Sequence, residues 1–288
     1  MATESIQDIK RRIKSVASTE RITNSMKLVS AGKLRQAKAI FEKTNENSHY
    51  ITNTIGERFN SSSEVPPDYL EGSREIKTTA YIVVTSARGL CGGFNTNIIR
   101  EAQREIDKDW EPPVIIAIGS KGKEYFEKRG YNVHSSYLAP PENISFLEAK
   151  ELVKPILEMY DRKEIDEVIL IYTSFISTME QEVKNETLLP FKIENDPDLI
   201  TDTKFIEYEP SVEAVFNYLI PKYVEMKIYS AVVESATCEH AARRMAMENA
   251  TDNAREMLDT LNLNYNRARQ SAITDEIIEI VAGSEAQH

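Results

Sequence analysis

Residues 85–97 read TSARGLCGGFNTN and follow an apolar run, so three glycines and a cysteine stand where a phosphate-binding loop would follow a strand. A dinucleotide loop needs G-x-G-x-x-G, whose glycines permit the tight turn and bring backbone N–H groups close to a pyrophosphate. Here Gly89, Gly92 and Gly93 give G-x-x-G-G instead. A second stretch, GSKGK at 119–123, lacks the length and the closing Lys-Ser/Thr of a P-loop, and no acidic residue closes the second strand to hold a ribose. The spacing therefore predicts strand-to-helix turns in which Gly89, Gly92 and Gly93 serve positive φ or close backbone approach, with no nucleotide cofactor.

Other chemistry-bearing residues are dispersed. His49, His134, His240 and His288 have no partners at ligand spacing, which predicts surface or interface histidines and no metal. Cys91 and Cys238 read as two reduced thiols. G-x-S-x-G, H-E-x-x-H and H-x-E motifs are absent, and DEIIE at 275–279 reads as a solvated helix face. No catalytic constellation is assembled.

The elements that must position these residues are unusual in length. Residues 4 to about 57 contain no proline and many helix formers, which predicts one helix roughly 80 Å long. Ile6, Ile9, Ile13 and Val16 step as a coiled-coil seam; the pattern breaks near STER and resumes through Ile22, Met26 and Val29 towards Ala37 and Phe41. A second helix is expected from Ser211, an N-cap, to about Ala282, with a bend at Pro221 and Gly283 as its stop. Its seam reads Met247, Ala250, Ala254, Met257 and Leu261, continuing through a stutter to Tyr265, Ala268 and Ala272. Ile273, Ile277, Ile278, Ile280 and Val281 lie beyond the reach of the shorter helix, so this apolar tip needs another protein around it.

Between the helices, a polar connection at 60–75 leads into alternating apolar and amphipathic runs, the signature of parallel βαβ units. Strands are expected at AYIVVTS, VIIAIG, YNVHSSY and EVILIYTSF, and helices at 94–109, 120–129 and 145–161. A last pair at Gln181–Ile193 and Lys204–Tyr208 adds an antiparallel edge. The fold class is α/β: a long antiparallel coiled coil of N- and C-terminal helices with an inserted Rossmann-like, mostly parallel domain. The expected divisions are 1–58, 76–209 and 210–288.

Hydrophobic residues make up 41% of the 288, enough for a sizeable core. No uncharged apolar run reaches about 18 residues, and the N-terminus is not built as a secretory signal, so a cytosolic face is expected. The net charge of −11 argues against general nucleic-acid binding. Residues 1–58 are nevertheless a basic island, with 11 Lys and Arg against 6 Asp and Glu, suited to an acidic partner.

Three stretches together, RIKSVASTERITNSMKLVSAGKLRQA, RGLCGGFN and the terminal ESATCEHAARRMAMENATDNAREMLDTLNLNYNRARQSAITDEIIEIVAG, closely resemble the gamma subunits of F-type ATP synthases. The resemblance implies the central rotor stalk: a coiled coil inside the ring of three alpha and three beta subunits, and a foot resting with epsilon on the membrane c-ring. It implies no catalytic residues and no cofactor, and a peripheral place at the cytoplasmic face of a bacterial membrane. Met26, with Lys27, matches the family's I-T-x-A-M stretch where shaft and beta meet. Arg243, which matches the A-A-R-M run, and Arg269, Gln270, Thr274 and Glu279, which match the terminal polar pattern, are with Met26 and Lys27 the contacts with the alpha and beta subunits that the resemblance implies. Departures are Ala87, where the family has Asp; Ser25 for Ala; Arg244 for an apolar residue; and Cys238 for Ser. A coiled-coil scaffold without a rotary role is the alternative, and it predicts a stable homodimer.

Overall fold

Thr79–Val84, the run TAYIVV, forms strand β1, and all six residues are buried. A strand without polar alternation requires cover on both faces. The remaining elements supply it: α1 (Ile6–Ser61) precedes β1, followed by α2 (Phe94–Ile106), β2 (Val114–Ile118), α3 (Ser120–Lys128), β3 (Val133–Tyr137), α4 (Phe146–Asp161), β4 (Glu167–Phe175), β5 (Gln181–Leu189) and α5 (Val212–Glu285). The computed structural model describes residues 5–61, 69–70, 72, 75–191, 209 and 211–285. The chain divides into two units, one of residues 31–243 and one of residues 1–30 with 244–288.

The unit of residues 31–243 holds a five-stranded sheet in the order β3-β2-β1-β4-β5. β3, β2, β1 and β4 are parallel, and β5 runs antiparallel to β4. Successive side chains of β1 alternate between the two faces. Ala80, Ile82 and Val84 enter a core with Ala149, Val153 and Ile156 of α4 and with Phe216, Ile220, Val224 and Ile228 of α5. Tyr81 and Val83 enter the opposite core with Ile98 and Ala102 of α2 and Phe126 of α3. Each fully buried aliphatic side chain there contributes roughly 1.5–3 kcal/mol. Helix α4 starts at a capping box: Ser145 Oγ accepts the Glu148 N–H, and the Glu148 carboxylate accepts the Ser145 N–H.

In the unit of residues 1–30 and 244–288, the helices pair antiparallel, and the seams differ from the expected ones. On α1, Ile6, Ile9, Ile13, Val16, Glu20, Thr23, Lys27 and Ser30 are buried or half-buried, stepping by three and four without interruption, whereas Ile22 and Val29 are exposed. On α5 the seam is Met247, Thr251, Ala254, Leu258, Leu261, Tyr265 and Ala268. Met257 is 49% exposed, and there is no stutter up to Ala268. The apparent break near STER is a run of polar residues at seam positions, so apolar spacing alone picked neighbouring residues on the wrong side of the helix.

Gly283 does not stop α5, which continues to Glu285; a glycine inside a helix costs only about 1 kcal/mol. Helix α2 ends at Ile106 rather than 109. Ser211 does cap α5, its Oγ accepting the Ala214 N–H at 3.2 Å, and the helix runs through Pro221. The predicted strand Lys204–Tyr208 and most of the 60–75 connection lie outside the described residues.

Candidate functional site

Strand β4 outruns its neighbour β1, whose ladder with it ends at Val83 and Ile171. The backbone groups of Thr173 and Phe175 on that side need other partners. Helix α5 provides them. Glu234 accepts hydrogen bonds from the Phe175 N–H and the Ser174 hydroxyl, both at 2.8 Å; Ser235 Oγ faces the Thr173 N–H at 3.4 Å; and the Cys238 thiol donates to the Thr173 carbonyl at 3.5 Å. Burial pushes the Glu234 carboxyl up, opposed by those hydrogen bonds, and pushes the Cys238 thiol up as well. In open α/β sheets the crevice beyond the carboxyl ends of the strands at the order reversal takes a ligand. Here the reversal lies between β1 and β4, and its rim is bonded to the protein's own helix.

The 85–93 turn is tied to the same helix. Arg243 donates to the carbonyl oxygens of Arg88 at 3.0 Å and Gly89 at 3.3 Å, and pairs with the Glu239 carboxylate at 2.7 Å, its side chain only 11% exposed. The turn thus presents carbonyls to a cation, the opposite polarity to a phosphate cradle. Its floor is a network in which Asn95 accepts the Ser86 N–H and approaches Ser86 Oγ and Cys91 Sγ. Burial pushes the Glu239 carboxyl up while Arg243 opposes the shift.

The glycines contribute unequally. Gly92 has φ +58°, and Leu90, a residue with a side chain, also sits in the left-handed region at φ +64°. Gly89 and Gly93 do not: a Cβ on Gly89 would meet nothing, and one on Gly93 would make an ordinary contact with Asn97. The glycine the fold demands is Gly119 of GSKGK. Its φ is +90°, and a Cβ there would lie 2.1 Å from the Thr85 carbonyl oxygen, because the chain leaving β2 packs directly against the end of the adjacent parallel strand β1.

Sequence spacing did not reveal a third cluster. Lys33 of α1, Glu142 of the loop before α4 and His240 of α5 converge: Lys33 Nζ lies 2.7 Å from Glu142 Oε1, which is 3.8 Å from His240 Nε2. His240 is buried, with neither ring nitrogen hydrogen-bonded, and burial holds it down to about 4.

In the other unit, Met26 and Lys27 are half-buried, and Arg269, Gln270, Thr274 and Glu279 are exposed. Thr274 Oγ1 donates to the Gln270 carbonyl. Every residue from Arg269 to Ala282 is exposed, including Ile273, Ile277, Ile278, Ile280 and Val281. Arg244 pairs with Glu248 at 3.9 Å. Among the described residues Ala87 leaves no ion pair on Arg88, and the Ser86 hydroxyl donating to the Arg88 carbonyl at 2.7 Å braces the turn.

A family model described as ATP synthase matches residues 5–287. The ATP synthase gamma chain of Alkaliphilus metalliredigens is 46% identical over 285 residues, covering 98% of each chain. The chain belongs to the ATP synthase gamma chain family. A gamma chain described as sodium ion specific, from Acetobacterium woodii, is 40% identical over 98% of this chain and 99% of its own length. Among solved structures, the central stalk and c-ring of Tetrahymena thermophila mitochondrial ATP synthase has a chain with TM-score 0.65 and 25% identity, over 80% of this chain and 99% of that one. No helix among the described residues is long and apolar enough to cross a membrane.

Proposed function

We propose that the chain is the central-stalk rotor of an F-type, proton- or sodium-translocating ATP synthase. It mechanically couples c-ring rotation to ATP synthesis or hydrolysis in a ring of three alpha and three beta subunits. It carries no catalytic residues of its own. Residues 1–58 and 210–288 form the shaft, and residues 76–209 form the foot, which meets epsilon and the c-ring. The protein is peripheral at the cytoplasmic face of a bacterial membrane, which it touches only through the c-ring.

The observation that carries this reading is the end of α5. Its seam closes at Ala268, and beyond it five large aliphatic side chains are exposed on one short segment. Such a surface calls for surrounding protein, and the family's alpha and beta ring is of the right kind. A shaft shifts the conformations of its ring only if each angle makes different contacts with each beta subunit. Arg269, Gln270, Thr274 and Glu279 give directional polar contacts beside the apolar bearing, and Met26 and Lys27 give contacts lower on the shaft. Arg243 acts by clamping the 85–93 turn. The exposed cations of α1 suit contacts with acidic beta loops that are made and broken each turn, since exposed pairs are worth about 1 kcal/mol or less.

The test is the Arg269→Ala, Gln270→Ala double variant in the assembled synthase. ATP synthesis should fall several-fold while the stalk still co-purifies at one copy per three beta subunits. Unchanged synthesis and coupling would overturn the assignment of these contacts.

A further inference from the structure

Among the described residues, three polar side-chain contacts join α1 and α5 within the coiled-coil unit. Arg255 Nη2 lies 3.1 Å from Glu20 Oε1, the Thr251 and Thr23 hydroxyls are 2.8 Å apart, and Lys27 Nζ is 4.0 Å from Glu248 Oε1. Advancing three and then four residues along α1 moves four and then three residues back along α5, the order of an antiparallel pair. Thr251 is fully buried and Thr23 nearly so. Each hydroxyl has one proton. One bridges the helices and the other goes to a backbone carbonyl, Glu20 O lying 3.0 Å from Thr23 and Met247 O 2.7 Å from Thr251.

We infer that this layer is a register lock, with Thr23 and Thr251 as its pin and the two flanking ion pairs as its guards. A heptad seam accepts apolar side chains equally well after a slip of seven residues, so apolar packing specifies register weakly. The Thr23–Thr251 pair does not survive a slip: one way Thr23 meets Arg244 and Thr251 meets Val16, and the other way Thr251 meets the Ser30 hydroxyl but Thr23 meets Leu258, which leaves its buried oxygen without a bridging partner. The charges oppose slipping in both directions. Along α1 the order is acidic Glu20 then basic Lys27; along α5 it is acidic Glu248 then basic Arg255. A seven-residue slip one way sets Glu20 against Glu248, and the other way sets Lys27 against Arg255. The polar run that interrupts the apolar pattern near STER is therefore what defines how the two helices align. The lock holds whether or not the chain rotates. For a rotor it makes Thr23 and Thr251 positioning residues, since every contact farther along either helix inherits the register set here.

Spin labels on Ser18→Cys and Asp259→Cys, both exposed positions, report the alignment of the helices in the full-length chain. The parent should give one narrow distance distribution. Thr23→Val combined with Thr251→Val keeps side-chain shape and should leave thermal stability nearly unchanged, yet broaden the distribution at least about twofold. Glu20→Lys combined with Lys27→Glu makes the native alignment repulsive and both slipped alignments attractive. It should add a population displaced by on the order of 10 Å along the axis. Adding Glu248→Lys and Arg255→Glu should restore the single parent distance. An unchanged narrow distribution in either two-residue variant, or no restoration in the fourfold variant, overturns the lock. These distances are read without any activity, so a failure of the rotor assignment would leave them standing.

Discussion

His240 illustrates how a single buried residue shapes the molecule's response to pH. It is neutral at neutral pH, faces Glu142, with Lys33 and Arg243 nearby, and is held down to about 4 by burial. In the unfolded chain its value is about 6.5. Between those values the unfolded chain binds more protons, so stability is level above pH about 6.5 and falls as pH drops towards about 4. At pH 5 the loss is about 2 kcal/mol. Glu234 and Glu239, pushed up by burial, act in the opposite sense at pH above the ordinary carboxylate value, within the histidine's own range. Comparison with His240→Leu isolates the histidine: its melting temperature should drop less between pH 7 and pH 5 than that of the parent, and an equal drop would contradict the reading. None of this was legible in the sequence. His240 looked like one of four dispersed histidines, and only the fold brings it to residues 98 and 207 positions away. The glycines were half legible. Gly92 does take a positive φ, but the indispensable close approach is at Gly119, whose stretch of sequence reads only as a failed P-loop.

At the scale of elements, the long helices and the alternating strands were readable because their signals are local: absence of proline, continuous apolar runs and capping residues. The seams were harder, since the decisive residues at 20–30 are polar and Met257 is apolar but faces solvent. The two assignments differ in a measurable way. Leu258→Ala should destabilise the chain by about 1–2 kcal/mol, as expected for a half-buried seam leucine. Met257→Ala should change stability by about 0.5 kcal/mol or less. Thermal or denaturant unfolding of the two variants checks this, and a larger loss at Met257 would restore the alternative seam. The bonding of Glu234, Ser235 and Cys238 to the overhang of β4 was not readable either, because it depends on where β1 stops pairing.

For the whole molecule, the mostly parallel sheet with one antiparallel edge and two flanking helices follows from the order of local patterns, and family membership follows from full-length similarity. The rotary role rests on the exposed apolar end of α5 and on differential contact with a surrounding ring. Labelling for a direct test is favoured by chemistry: Cys91 and Cys238 are buried and their thiols pushed up, hence unreactive, whereas Trp110 is fully exposed. A gold rod attached through Trp110→Cys, on a chain assembled with immobilised alpha and beta subunits, reports rotation of the foot during ATP hydrolysis. Unidirectional rotation that starts on addition of ATP is the predicted result. A rod that stays fixed while the same assembly hydrolyses ATP at its full rate would contradict the rotor assignment.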